Sequence, residues 1–470
     1  MKFSLPAALC ALFLLAACGP EATQQAFQAT LAPTVANAPV YSPTPTLTPS
    51  FTPTLTPTPT PTATLTPTPT LTRTPTLTPS PTPTLPLWTL TPASALNAPP
   101  PVTVAPASFS GGIGWSCDDF PCEDDIAGFL ERIRVPEGFA LEYVGQFPGQ
   151  PMQIAYGTDG RLYATVLEDG TRSGAVYVMS ADGATTRYSG TFTSPLGLAF
   201  QPGTDVLYVT ARMSIASGGS LWRVLPDGES IPVLTDLPCC FSLIDNQPNG
   251  IVFGPDGYLY LGIGALTDHA ESLSPQNQPY ADILPTEAAI LRIQPHTAQV
   301  ETYASGIRNP VDLAFDPRGQ LYATDSGLLT GPGDRLLRVM RGGNYGWPYY
   351  RARGCDFCPP TPADLDAPPD WVSFPDFSLP RGMAVYDGSQ FPANLFGSLF
   401  VALWNGTRDA QRIVRIDPTD PRIGTPEYAP EPFVTGLIRP VDVTVAPDGS
   451  LVVADFIYGH VWRVRYVGGE

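Results

Sequence analysis

The sequence predicts an all-β fold, a six-bladed β-propeller of antiparallel four-stranded blades, preceded by a disordered Pro/Thr-rich linker. Two repeating phrases carry that expectation. The first occurs at Ile154 to Val166 (IAYGTDGRLYATV), Leu198 to Thr210, Ile251 to Ile263, Leu313 to Asp325 and Val443 to Asp455, with a divergent sixth copy from Met383 to Asn405. Each copy passes from an alternating apolar run through a turn rich in Gly, Asp and Pro into a β-branched or aromatic run, which is a strand, a tight turn and a strand. The second phrase follows at a distance: AVYVM at Ala175, LWRVL at Leu221, ILRIQ at Ile290, LLRVM at Leu336, IVRID at Ile413 and VWRVR at Val461. It supplies a third strand to each unit. Six units at a period of about 45 to 70 residues favour a propeller over a solenoid, because blades tolerate long loops between their strands.

The chain ahead of the repeats has a different character. Lys2 precedes an apolar stretch from Leu5 to Ala16 that is short for a membrane span, and the stretch ends in Leu15-Ala16-Ala17-Cys18. This pattern predicts a lipoprotein signal peptide over residues 1–17, cleavage before Cys18 and lipid attachment to its thiol. Residues 18–110 form a lipid-anchored stalk in this reading, with Pro and Thr making up nearly all of Ser42 to Pro92. Such a segment cannot bury a core, and proline stiffens it toward polyproline II, with a reach of roughly 150 Å at about 3.1 Å per residue. Residues 111–470 are then the propeller. The expected location is extracytoplasmic, in the cell envelope, with the lipid anchor as the sole membrane contact.

Apart from Cys10 and Cys18, six cysteines remain: Cys117, Cys122, Cys239, Cys240, Cys355 and Cys358. An even number in an exported chain predicts up to three disulfides of open connectivity. Cys355-x-x-Cys358 lies in a Pro-rich loop without a βαβ pattern or a nearby histidine, so a structural disulfide is favoured over a redox or zinc site. The net charge of −18 without a basic stripe excludes nucleic acid as a partner.

Propeller geometry sends the residues before each inner strand and after each second strand to one mouth of the central channel. Those residues are Gln153 and Glu168, Phe192 and Arg212, Asn246 with Asp268 and His269, Arg308 with Asn309 and Asp325, Arg381 with Asn405, and Arg439 with Asp455. Four arginines on one rim of an acidic protein predict an anionic ligand, because the guanidinium fork suits carboxylates. The competing expectation is that they pair with Asp268, Asp325 and Asp455 to stabilise the rim.

The run SGIRNPVDLAFDP from Ser305, followed by GGNYGWP from Gly342 to Pro348, resembles the soluble quinoprotein glucose and sorbosone dehydrogenases, and the likeness extends from Val135 to Tyr466. The resemblance implies a six-bladed propeller that binds pyrroloquinoline quinone and calcium, oxidises an aldose or related sugar by hydride transfer to the quinone, and passes electrons to an external acceptor. It implies cofactor contacts from Arg308, Asn309 and Arg439, with Asn405 where the family has a cofactor-binding lysine. It places Tyr345 near the calcium, with Gly331 and Pro332 as carbonyl ligands, a reasonable role since calcium takes several hard oxygens.

Departures from the family cluster at the site. Asn246 stands where the family has its catalytic histidine, and asparagine cannot accept a proton near neutral pH. Phe192 stands where the family has a cofactor-binding glutamine. One expectation is that His269, oriented by Asp268, has taken over as base. The alternative is a catalytically inactive surface propeller that binds a sugar or an anionic ligand. A third class, a calcium-dependent lactonase, would need Glu168, Asp325 and Asp455 as a metal cage.

Overall fold

The computed structural model describes residues 120–468, apart from 169–171, 215–217, 241–247, 273–277, 279, 330–331 and 405–411. The expected signal, Cys18 and the stalk lie outside the described residues, as do Asn246, Gly331 and Asn405.

The six hairpins and their third strands form six blades. Blade one holds β2 (Gln150–Tyr156), β3 (Leu162–Leu167), β4 (Ser173–Met179) and β5 (Thr185–Arg187). Blade two holds β7 (Leu198–Phe200), β8 (Leu207–Arg212), β9 (Gly219–Val224) and β10 (Ser230–Leu237), and the short β6 (Phe192–Thr193) bridges it to β4. Blade three is β11 (Pro248–Phe253), β12 (Leu259–Ile263), β13 (Ala289–Ile293) and β14 (Val300–Ser305). Blade four is β15 (Pro310–Phe315), β16 (Leu321–Asp325), β17 (Arg335–Val339) and β18 (Val372–Ser373). Blade five is β19 (Pro380–Val385), β20 (Leu399–Leu403), β21 (Arg412–Ile416) and β22 (Glu431–Thr435). Blade six combines β23 (Pro440–Val445), β24 (Leu451–Asp455) and β25 (His460–Tyr466) with β1 (Phe139–Gln146) from the other end of the domain. This last pairing closes the ring, and the repeat pattern did not reveal it.

Local chemistry fixes the hairpins. Gly160, Gly203, Gly257, Gly319 and Gly449 sit at φ between +72° and +82°, where L-residues with side chains are strained. Asp159, Asp256, Asp316 and Asp448 each accept a backbone N–H two residues on, which shapes four of these turns. Apolar faces of neighbouring blades then bury one another, as where Tyr163, Val176 and Val178 meet Leu198, Leu207 and Val209. A recurrent threonine joins blade to blade. The hydroxyls of Thr165, Thr210 and Thr324 donate to the backbone carbonyls of Leu196, Asn249 and Arg381, each just before or at the start of the next inner strand.

One layer of the channel has a distinct composition. Equivalent positions on the six inner strands carry Gln153, Gly197, Gly250, Asp312, Gly382 and Asp442. The glycines make room for the polar side chains: a Cβ on Gly382 would fall 1.8 Å from Asp442 Oδ1, and one on Gly250 would fall 2.7 Å from Asp312 Oδ1. Below this layer the channel widens into an open well of about 430 Å³ lined by all six inner strands.

Helix α1 (Ile126–Arg132), capped by Asp125, docks on blade six. Its Phe129 is buried against His460 and Trp462, at ring separations of 5.0 and 5.7 Å. No helix among the described residues is long and apolar enough to cross a membrane.

Candidate active site

The two stretches that carried the family resemblance are paired in space. Ser305 and Asn344 form a parallel bridge, and the N–H groups of Tyr345 and Trp347 donate to the carbonyls of Ser305 and Gly306. Gly306 has φ +68°, and a Cβ there would fall 2.2 Å from Asn344 Oδ1, so the close approach requires glycine. Beneath this contact lies Arg335, a fully buried residue that no repeat or motif singles out. Its guanidinium reaches Asp325 Oδ2 at 2.8 Å, Asp370 Oδ1 at 3.0 Å, Tyr345 O at 2.9 Å and Gly306 O at 3.3 Å. Asp325 Oδ1 in turn accepts the Asn309 N–H at 2.8 Å. A buried ion pair thus positions the backbone of the Arg308-Asn309 pair.

Arg308 is ion-paired with Asp268, Nη2 to Oδ1 at 2.7 Å, and its side chain is 2% exposed. It also donates to the carbonyls of Asp268 and Ser326. Trp347 Nε1 donates to the same Asp268 carbonyl at 2.9 Å. The Asn309 side chain accepts from Asn249 at 2.8 Å. This answers part of the rim question: Arg308 is anchored by Asp268, whereas Asp325 is claimed by Arg335. Asp455 accepts the backbone N–H groups of Ile438 and Arg439, and burial pushes its carboxyl up to about 6.

Two further rim arginines share one aromatic ring. The Arg381 and Arg439 guanidinium carbons lie 4.9 and 5.8 Å from the centroid of Trp404, and Arg439 Nη1 donates to the Trp404 carbonyl. Burial, with the Arg381 charge adding to it, pulls the Arg439 guanidinium below its ordinary value against the pull of Asp455. The two guanidiniums thus concentrate positive charge around one aromatic ring. Trp404 immediately precedes Asn405 and was not singled out from sequence.

Several expected rim residues have other places. Gln153 lies inside the channel, donating to Asp312 Oδ1 at 2.6 Å and accepting the Leu198 N–H. Phe192 is buried in the core between blades one and two, against Trp222. Glu168 accepts from the Tyr177 hydroxyl and pairs with Arg187 at 3.2 Å. With Asp325 and Asp455 also engaged, the three acids weighed as a lactonase cage are each committed to other partners, and the described residues hold no group of three or more acidic, cysteine or histidine side chains able to hold a metal. The Tyr345 hydroxyl donates to Arg338 O and accepts the Met340 N–H, so it secures the turn after β17. The Pro332 carbonyl accepts the Leu328 N–H at 3.1 Å and keeps a second lone pair.

His269 has a different orienting partner from the one expected. Its Nδ1 lies 3.4 Å from Glu271 Oε2 and 3.8 Å from Asp268 Oδ2. Asp268 is the counter-ion of Arg308, and the nearer carboxylate belongs to Glu271. The Glu271 oxygens accept the backbone N–H groups of Asp268 and His269 at 3.1 and 2.8 Å. Burial pushes the Glu271 carboxyl up, but these donors outweigh it and hold it below the ordinary range. On its other side the imidazole meets the edge of Phe357 at 4.6 Å. Phe357 is the residue between Asp356 and Cys358 in a loop closed by the Cys355–Cys358 disulfide, which agrees with the structural disulfide its Pro-rich context favoured and settles that pairing. Cys239 and Cys240 are also joined, and Cys122 is disulfide-bonded.

Residues 245–458 match the glucose/sorbosone dehydrogenase family. That match covers most of blades three to six. Among solved structures, the propeller is similar to the soluble aldose sugar dehydrogenase of Escherichia coli in its apo form, at 18% identity and TM-score 0.54, over 70% of this chain and 99% of that one. It is similar to the PQQ-bound aldose sugar dehydrogenase of Streptomyces coelicolor at 20% identity and TM-score 0.51, over 71% and 99%. A calcium structure of a Trichoderma reesei family AA12 carbohydrate-active enzyme matches at 14% identity and TM-score 0.51, over 71% and 97%. By sequence, an uncharacterized protein of Borreliella burgdorferi is 23% identical over 363 residues, 71% of this chain and 91% of that protein.

Proposed function

We propose that this protein is a membrane-tethered, extracytoplasmic sugar dehydrogenase that oxidises an aldose or related sugar by hydride transfer to pyrroloquinoline quinone, with calcium as a second cofactor and an external electron acceptor. The observation that carries the reading is the arginine pair over Trp404. A flat cofactor with three carboxylates suits two guanidiniums flanking an aromatic ring, with Arg308 fixed on the same rim by Asp268. The donor chemistry of the site therefore fits the quinone. Calcium would draw its oxygens from backbone carbonyls of the loop that contains Gly331 and Pro332. When bound, the quinone supplies a two-electron hydride acceptor.

The chain's own residues bind and orient. Arg381 and Arg439 neutralise carboxylates, the Arg335–Asp325 pair holds Asn309 in register, and Asp268 keeps Arg308 from swinging. Tethering through Cys18 would present the domain at the end of its Pro/Thr stalk, outside the cytoplasm. A binding-only propeller is the second reading, and the burial of Phe192 supports it, because that position offers a ligand no polar contact.

Titration of the full chain with the quinone, with and without calcium, tests the proposal through the thermal midpoint. A ligand that binds only the folded state at about 100 times its Kd adds about 2.7 kcal/mol of stability. We expect a calcium-dependent rise that Arg439→Ala weakens by at least about tenfold in quinone affinity, the order expected for a lost charge-assisted contact. An unchanged midpoint under both conditions would leave the binding-only reading.

A further inference from the structure

The geometry points to a relocated general base: His269, with Glu271 and the disulfide-closed Phe357 tip as its positioning residues. The inference rests on the quinone-dependent reading and names the group that removes the sugar proton. With Asn246 at the family's histidine position, a sugar hydroxyl needs another acceptor. His269 directly follows Asp268, whose carboxylate and carbonyl both meet the Arg308 guanidinium. The imidazole therefore stands one residue from the anchor of a cofactor-binding arginine.

Its surroundings are built rather than incidental. An isolated histidine on a loop would be free to turn. Here the ring is bounded by a carboxylate on one side and an aromatic edge on the other. Glu271 is locked by two backbone N–H groups and stays ionised, so it favours the tautomer with the proton on Nδ1. The lone pair is then on Nε2, the ring nitrogen away from the buried Nδ1, in a side chain that is 23% exposed. At 3.4 Å the Nδ1–Glu271 contact is electrostatic and not a formed hydrogen bond, and catalytic hydrogen bonds often tighten only once a substrate is in place. Phe357, with its ring centroid 4.6 Å from the imidazole, limits rotation. Cys355 and Cys358, 1% and 0% exposed, pack with Trp347 and Tyr350 and fix the tip that carries it.

In the reaction the anomeric O–H bond breaks and its proton passes to His269 Nε2. The C1–H bond would break with its electron pair, a bound quinone would supply the two-electron oxidant that takes the hydride, and the sugar would leave as a lactone, two electrons poorer. The imidazolium formed beside Glu271 is stabilised by that carboxylate, as in other carboxylate–histidine pairs.

The first test needs no turnover. The chain has three histidines, so the full protein labelled with ¹⁵N-histidine gives few imidazole signals to assign, and the nitrogen shifts report the tautomer. We expect His269 as the Nδ1–H tautomer, moving toward Nε2–H in Glu271→Ala and gaining ring mobility in the Cys355→Ser/Cys358→Ser variant. A wild-type His269 already in the Nε2–H form would overturn the positioning role. The second test uses protein loaded with quinone and calcium. His269→Gln should lower kcat by about 10² to 10⁴ while quinone affinity and thermal midpoint stay near wild type. If the wild-type protein oxidises sugars and His269→Gln does so equally well, the relocated base is wrong and the dehydrogenase reading stands. If the loaded wild-type protein oxidises no sugar, both fall together.

Discussion

Two sets of buried acidic side chains, one at the head of blade four and one in the channel, are held by different kinds of partner. At the head of blade four, Asp325 is met by Arg335, with Asp370 and backbone carbonyls completing the guanidinium's contacts. In the channel, the contacts to Asp312 and Asp442 come from neutral donors: Gln153 and the Met383 N–H for one, the Ile154 and Val443 N–H groups for the other. Burial pushes Asp312 up to about 7, and burial together with the Asp312 charge pushes Asp442 up as well. The channel pair is thus suited to holding protons, while at the rim burial also pushes the Asp325 carboxyl up and the Arg335 charge opposes that push. The difference follows position. The rim must keep one geometry at any pH for a ligand, whereas the channel acids need only tie blade four to blades one and five, and blade six to blade one.

Removing one partner from the rim pair should do the most damage. Arg335→Ala leaves Asp325 buried and uncompensated, a change that typically costs about 3–5 kcal/mol. Chemical denaturation should show that loss, and adding Asp325→Asn should recover part of it. A cost below about 1 kcal/mol, the level of exposed pairs, would break the comparison.

The channel acids should reveal themselves through pH. A carboxyl whose folded value is raised binds its proton more tightly when folded, so its stabilisation is complete below the unfolded value of about 4 and is lost as pH rises through about 7. The denaturation midpoint of the wild-type protein should fall between pH 5 and pH 8. Asp312→Asn should flatten that fall, and a slope unchanged by the substitution would mean that the carboxyls are ionised in the fold.

His460 provides a smaller effect with the opposite sign. Burial among Phe129, Tyr143, Tyr458 and Trp462 pulls it down to about 4, with Nε2 3.0 Å from the Glu123 carbonyl. Its contribution is present above the unfolded value near 6.5 and is lost as pH falls through about 4. His460→Gln should therefore flatten the loss of stability between about pH 6.5 and about pH 4 without altering the limb above about pH 7. Hydrogen exchange at α1 would follow the same transition, because Phe129 packs on the ring.

Most of the fold was legible because each hairpin is specified by residues adjacent in sequence, through the glycine and aspartate of its own turn. The threonine stitch was legible in principle. YAT and YVT recur in the repeats, but the partner carbonyl lies in the next blade and no local pattern names it. The channel layer also left a signal, since Gln153, Asp312 and Asp442 interrupt apolar runs at one register with glycines at the other three. Arg335 and Glu271 left none, because one resembles any strand residue and the other any loop acid. Their roles come from contacts across loops and blades that strand periodicity does not encode. Arg308 was found through its family motif, and Trp404 was missed although its neighbour Asn405 was examined.

The closure of blade six has a consequence in time. Strand β1 has its outer-strand partner only when β25 exists, and the pairing of Gln146 with His460 joins residues made roughly 300 positions apart. At about 5–20 residues per second of synthesis, that is a wait on the order of 15–60 s. Throughout that interval the first strand is an unpaired edge, so the nascent domain depends on whatever keeps such edges apart until its last strand arrives.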